Sequence, residues 1–247
     1  MRDCLFLVAD KNMEGMLKGF FSRDAFHHAM GCRQFDFDIR QDLVVAHGQN
    51  DPGLYTRANE FLQPYASSHQ HAVVIVDAEW DGSPGDDAIL QRMRKHLNNA
   101  GWPDDSGCAV VIAPELENWV WQDSPHVCDA LGFSGTFAAL RADLGNQGFW
   151  QQDRAKPDRP KDAVEWVLRQ SRKGRSSAIY QQLAMRVTAR GCTESGSGSA
   201  LLRRRPLRTV RAPHNAYGSS LSKAFSNTQL HNFFSSGAFV FSHPLDG

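Results

Sequence analysis

Seven acids in this chain sit at the ends of apolar runs. Asp77, Glu79 and Asp81 follow residues 72–76 (AVVIV); Asp10 and Glu14 follow residues 4–9 (CLFLVA); Glu115 and Glu117 follow residues 108–113 (CAVVIA). Carboxylates gathered at a buried edge repel one another and are costly to desolvate, so such a cluster calls for a cation. Each group also has a plainer reading. Residues 81–85 (DGSPG) have the composition of a solvated turn, and Glu14 near a helix start answers to the helix dipole alone.

The elements that must position these acids are short and regular. Runs of five or six apolar residues rich in Val and Ile have the length of strands buried on both faces. Between them lie segments with helical spacing: residues 13–21 with Asn12 as the expected cap, a helix opened by Asp51-Pro52 and running to about Leu62, and one started by Asp86 and Asp87 whose Ile89, Leu90, Met93 and Leu97 share a face. Residues 33–46 read as one or two strands nearer the sheet edge. Alternation of strand and helix predicts an α/β fold, a mainly parallel sheet flanked by helices. Every acidic group then falls at a strand's carboxyl end, where open α/β sheets bind ligands. Three coincidences on one edge favour a metal site. His69 and His71 precede their strand, lie at the opposite edge, and take a structural or solvent role.

Glu117 and Trp121 are one helical turn apart, so the segment after Pro114 is expected to turn straight into a helix with Trp119 and Trp121 inward. Further helices are expected at about 125–131, 135–144, 161–171 and 177–188. The chain divides into an α/β domain over 1–149, a helical extension over 150–190, and a basic, Ser/Gly-rich tail over 191–247, read as disordered or partner-binding, or as the product of a shifted reading frame.

Composition is that of an ordinary soluble protein of 247 residues, 41% hydrophobic and 22% charged. Its zero formal charge hides an asymmetry: residues 1–149 carry 11 Lys/Arg against 21 Asp/Glu, and residues 150–247 carry 16 against 6. An acidic half joined to a basic half suits one that holds metal and one that holds a phosphate backbone, or two halves that simply attract each other. Five widely spaced cysteines, none in a C-x-x-C pair, suggest neither a disulfide framework nor a zinc site, and a reducing cytoplasm fits them best. The first apolar run meets Asp10 too soon for a signal peptide, and no run approaches transmembrane length, so no membrane role is expected.

These residues resemble the Toprim-like families, whose parallel sheet carries a Glu after the first strand and an Asp-x-Asp after a later one. Residues 7–14 (LVADKNME) resemble the first motif and residues 76–79 (VDAE) the second. Residues 114–119 (PELENW) look like the P-x-x-E-x-W of a bacterial Toprim-like group related to nucleases found with anti-phage systems. The likeness covers roughly residues 3–135, and only the last motif is at all specific. Asp10 stands where the family has Glu, and Glu79 replaces the second Asp. The resemblance implies that Asp77, Glu79 and Asp81 hold Mg²⁺ or Mn²⁺, with Asp10, Glu14 and Glu117 as catalytic carboxylates. The implied activity is phosphodiester cleavage of DNA or RNA within a defence complex.

Two other readings compete. A non-catalytic Toprim-like subunit, degenerate at Asp10, would bind nucleic acid or a partner protein without metal. A phosphoacceptor receiver domain expects a hydroxyl after the next strand, where this chain has Ala113-Pro114-Glu115. No Gly-rich turn follows Ala9 to suggest a dinucleotide site, and no Ser or Cys sits in a nucleophile elbow.

Overall fold

The computed structural model describes residues 1–24, 26–27, 34–103 and 105–186. The tail over 191–247 lies outside the described residues.

Four strands form one all-parallel sheet: β1 (Arg2–Val8), β2 (Leu43–Val45), β3 (His69–Asp77) and β4 (Gly107–Ile112), in the order β2-β1-β3-β4. The helices are α1 (Lys11–Phe21), α2 (Asn50–Leu62), α3 (Asp86–Ala100), α4 (Pro125–Leu131), α5 (Phe137–Asn146), α6 (Pro160–Gln170) and α7 (Ser177–Arg186). The chain moves one way from β1 to β2 and the other way from β2 to β3 and β4. Right-handed crossovers therefore place α1 on one face and α2 with α3 on the other. Accordingly, α2 packs on α3, and α1 packs on α7. No described helix is long and apolar enough to cross a membrane.

Both faces of the sheet are covered, which is why its strands read as unbroken apolar runs. Leu5, Phe6, Leu7 and Val8 of β1 and Val73, Val74 and Val76 of β3 are completely buried. Each such side chain contributes about 1.5–3 kcal/mol of transfer free energy. The α1–α7 contact has a different basis. A Cβ at Gly15 would sit 2.3 Å from the Ser177 carbonyl oxygen, and one at Gly19 would sit 2.2 Å from that of Gln181. Two glycines one turn apart thus let the two backbones touch, and the last described helix closes over the first.

The amino edge of the sheet is held by a buried ionic knot. Asp42, with no solvent exposure, accepts from both Nε and Nη2 of Arg2, the latter at 2.6 Å. It also accepts the Asp38 backbone N–H at 2.6 Å, and its Oδ1 lies 3.1 Å from His69 Nε2. Ser68 Oγ lies 2.9 Å from His69 Nδ1, so every polar atom of that buried ring has a partner. His69 therefore serves the sheet.

Three local expectations need correction. Asn12 does not cap α1: Asp10 does, its Oδ1 accepting the N–H groups of Asn12 and Met13 at 2.8 and 2.9 Å. The alternating piece around Phe35 and Phe37 forms no strand. Its alternation serves aromatic packing, with the Phe37 ring 4.2 Å from that of Phe21 and 5.7 Å from that of Phe6. Among the described residues of this piece, only 43–45 pair with β1. After Pro114 the chain makes a 3-10 turn, Leu116–Trp119, in place of an α-helix, closed by the Val120 N–H on the Glu117 carbonyl and by Asn118 Nδ2 on the Ala113 carbonyl, with Trp119 and Trp121 buried as expected.

A candidate acidic site at the carboxyl edge

Strand register decides which acids meet. Val8, the last residue of β1, is opposite Ile75, so Asp10, in the turn from β1 into α1, and Asp77, the last residue of β3, lie at the same end of adjacent strands. β1 and β3 are also where the strand order reverses, the place at which the crossovers diverge and leave a crevice. Asp51 enters from the first turn of α2, and its Oδ1 accepts the Asp77 backbone N–H at 2.8 Å. Glu117 enters from the turn after β4.

Asp77 is the centre of the group. Its Oδ1 is buried and has no hydrogen-bond partner among the described residues. Burial pushes its carboxyl well above the ordinary carboxylate range, and the charges of Asp51, Glu117, Asp10 and Glu115 push it further. Asp51 is raised in the same way, first by burial and then by Asp10, with the Asp77 N–H working against the rise. Glu115 is raised by burial, and its Oε1 accepts the Lys161 backbone N–H at 2.9 Å.

Glu117 is 3% exposed, and its charge is answered from within the protein. Its Oε1 accepts from Arg175 Nη2 at 2.8 Å and from the Tyr180 hydroxyl at 2.6 Å. Burial and the charge of Glu117 hold the Tyr180 proton far more tightly than usual. Burial works against the Arg175 charge, but Tyr180, Glu117 and Glu165 together raise its affinity for its proton. Arg175 also reaches Glu165 through Nη1 at 2.9 Å.

The other acids read from the sequence stand apart. Glu14 lies one turn into α1, paired with Lys18 at 2.5 Å. Glu79 and Asp81 are exposed in the turn after β3, where the Pro114 carbonyl accepts the N–H groups of Ala78 and Glu79 at 3.1 and 3.0 Å. Glu79 acts electrostatically on Glu115, and the charges that act most on Asp77 are those of Asp51, Glu117, Asp10 and Glu115. Asp51 and Tyr180 carried no site role in the sequence reading. Asp51-Pro52 has the signature of a helix start, and only its place after a strand, matching that of Asp10, hints at more.

Among the described residues, no group of three or more His, Cys, Asp or Glu side chains is disposed to hold a metal ion. The donor chemistry nevertheless suits a hard cation. Asp77 offers an unpartnered oxygen, and Asp10 and Asp51 are the adjacent carboxylates whose charge a cation would offset. Mg²⁺ needs only one or two protein carboxylates, filling its remaining positions with water and phosphate oxygens. No protein-family model matches the chain, and no match was found among curated proteins or solved structures.

Proposed function

We propose that this edge is the active site of a Mg²⁺- or Mn²⁺-dependent phosphodiesterase acting on nucleic acid. The observation that carries the reading is the buried, unpartnered Asp77 Oδ1 surrounded by the charges of Asp51, Glu117 and Asp10. Asp77 would hold the cation, with Asp10 and Asp51 flanking it. The bound cation would supply Lewis-acid activation of water and stabilise the leaving oxygen. Asp10, fixed by two N–H donors of α1, would orient the attacking water. Lys161 belongs to the basic half of the chain, yet its charge acts on both Asp51 and Glu115, and it would draw a phosphate backbone to this edge. The anti-phage setting, the likeness to Toprim-like families and a cytoplasmic location belong to the same proposal and rest on the sequence motifs and composition.

A second reading has its own observation. Glu117 already has Arg175 and Tyr180, Asp10 already caps α1, and Asp51 already accepts the Asp77 N–H, so three of the four acids are engaged within the protein. That suits a non-catalytic subunit that binds nucleic acid or a partner protein. Titrating Mn²⁺ and Mg²⁺ into the full chain with a labelled duplex and a labelled single-stranded RNA separates the two. Metal-dependent cleavage that disappears in Asp77→Asn supports the phosphodiesterase. Metal-independent binding of nucleic acid with no cleavage supports the subunit.

A further inference from the structure

Beside the acidic group, a cleft of about 300 Å³ opens between the ends of β1 and β2, lined by Asp10, Lys11, Asn12, His47, Gly48 and Asn50 with Ala9 and Val45 at its floor. We propose that this cleft is a phosphate subsite that seats a phosphate next to the scissile one. The inference rests on the phosphodiesterase reading for the identity of the substrate.

The lining decides the ligand class. The side chains of Lys11, Asn12, His47 and Asn50 make no hydrogen bond or ion pair with the described residues, so four polar groups, two from the start of α1 and two from the β2–α2 junction, line one space with their donors unspent. Lys is a point-charge binder of phosphate, and the amide and imidazole N–H groups supply directed donors. No Phe, Tyr or Trp lines the cleft to stack a base, and Ala9 and Val45 are the only aliphatic side chains in its lining. The volume lies at the low end for a small-molecule pocket, which suits a phosphate with its sugar. At Gly48, with φ of +73°, a Cβ would meet nothing within 4 Å, so the rim is open to an incoming strand. Asp10 opposes an anion here. Its Oδ1 is committed to the N–H groups of Asn12 and Met13, and a cation at Asp77 would offset the remaining charge.

The test titrates the full chain, in metal-free buffer and again with Mg²⁺, with inorganic phosphate, thymidine 5′-monophosphate and thymidine, following the Gly48 and Asn50 amides by NMR. Saturable shifts with the two phosphates and none with thymidine are expected, with affinity at least tenfold lower in Lys11→Gln and His47→Gln and retained in Asp77→Asn. Equal response to thymidine, or unchanged affinity in both cleft variants, overturns the inference. A chain that cleaves nucleic acid with metal but shows no phosphate binding here loses the subsite and keeps the phosphodiesterase reading. Phosphate binding here with no cleavage does the reverse.

Discussion

The backbone N–H of Asp77 donates to Oδ1 of Asp51 across 2.8 Å, joining the end of β3 to the first turn of α2. This bond seats two carboxyl groups side by side: the charge of Asp51 raises the affinity of Asp77 for a proton, while the Asp77 N–H lowers that of Asp51. The edge is thus held in place by backbone geometry although its charges repel.

The raised Asp77 carboxyl has a stability consequence whose sign can be worked out. Between the ordinary value of 3.8 and its elevated one, the folded chain binds more protons than the unfolded chain, so this contribution to stability falls as pH rises through that window. In metal-free buffer at neutral pH, Asp77→Asn is expected to be more stable than the wild type by roughly 1 kcal/mol or more. The gap should close below about pH 4, where both side chains are neutral, and also on adding divalent cation at neutral pH. Thermal unfolding at a series of pH values checks this. A wild type that is the more stable of the two without metal contradicts it.

Tyr180→Phe removes the 2.6 Å donor to Glu117 without changing shape, leaving a buried carboxylate oxygen with Arg175 alone. The expected loss is about 1–3 kcal/mol by urea unfolding. If Glu117 takes part in the reaction, the same variant should also shift the pH profile of metal-dependent cleavage.

Gly19→Ala drives a methyl group into the Gln181 carbonyl oxygen, which is backbone and cannot swing aside. A loss of about 1–3 kcal/mol is expected from such overpacking. Hydrogen exchange should speed up in α1 and α7 before it does in β3. Uniform loss of protection would argue against a local contact.

Asp42→Ala leaves Arg2 and the buried His69 without their acceptor and should cost about 3–5 kcal/mol. The knot lies at the amino edge, so any cation binding at Asp77 should survive in whatever fraction stays folded. Calorimetric metal titration of that variant at low temperature tests the separation of the two edges.

The strands β1, β3 and β4 were legible because burial on both faces leaves a run of apolar residues with no polar interruption. The helix after Ser124 was legible from punctuation, with Pro125 at its first position, and the one expected from Lys161 was legible from the stripe of Val164, Val167 and Leu168, although it starts one residue earlier at Pro160. The acidic site was legible only in part. Asp10, Asp77 and Glu117 were found because they follow apolar runs. Glu79 and Asp81 share that sequence neighbourhood, but the chain turns away after Ala78, and Trp80 packs near Tyr55 at 5.9 Å. Asp51 was hidden because one residue serves a helix start and an acidic site with the same chemistry. Arg175 and Tyr180 lie 58 and 63 positions from Glu117, and nothing in local pattern announces a partnership at that range.

The glycine contact between α1 and α7 also bears on how the chain is made. Glu117 is translated long before its two donors, and α7 cannot seat against Gly15 and Gly19 until residues 177–186 have been synthesised. A nascent chain halted after residue 149 holds every strand of the sheet, yet its α1 lacks the helix that covers those glycines and Glu117 lacks both donors. Completion of the acidic edge is therefore a late event of biosynthesis, and a ribosome-stalled series of lengthening chains should acquire protease resistance in α1 only once α7 has emerged.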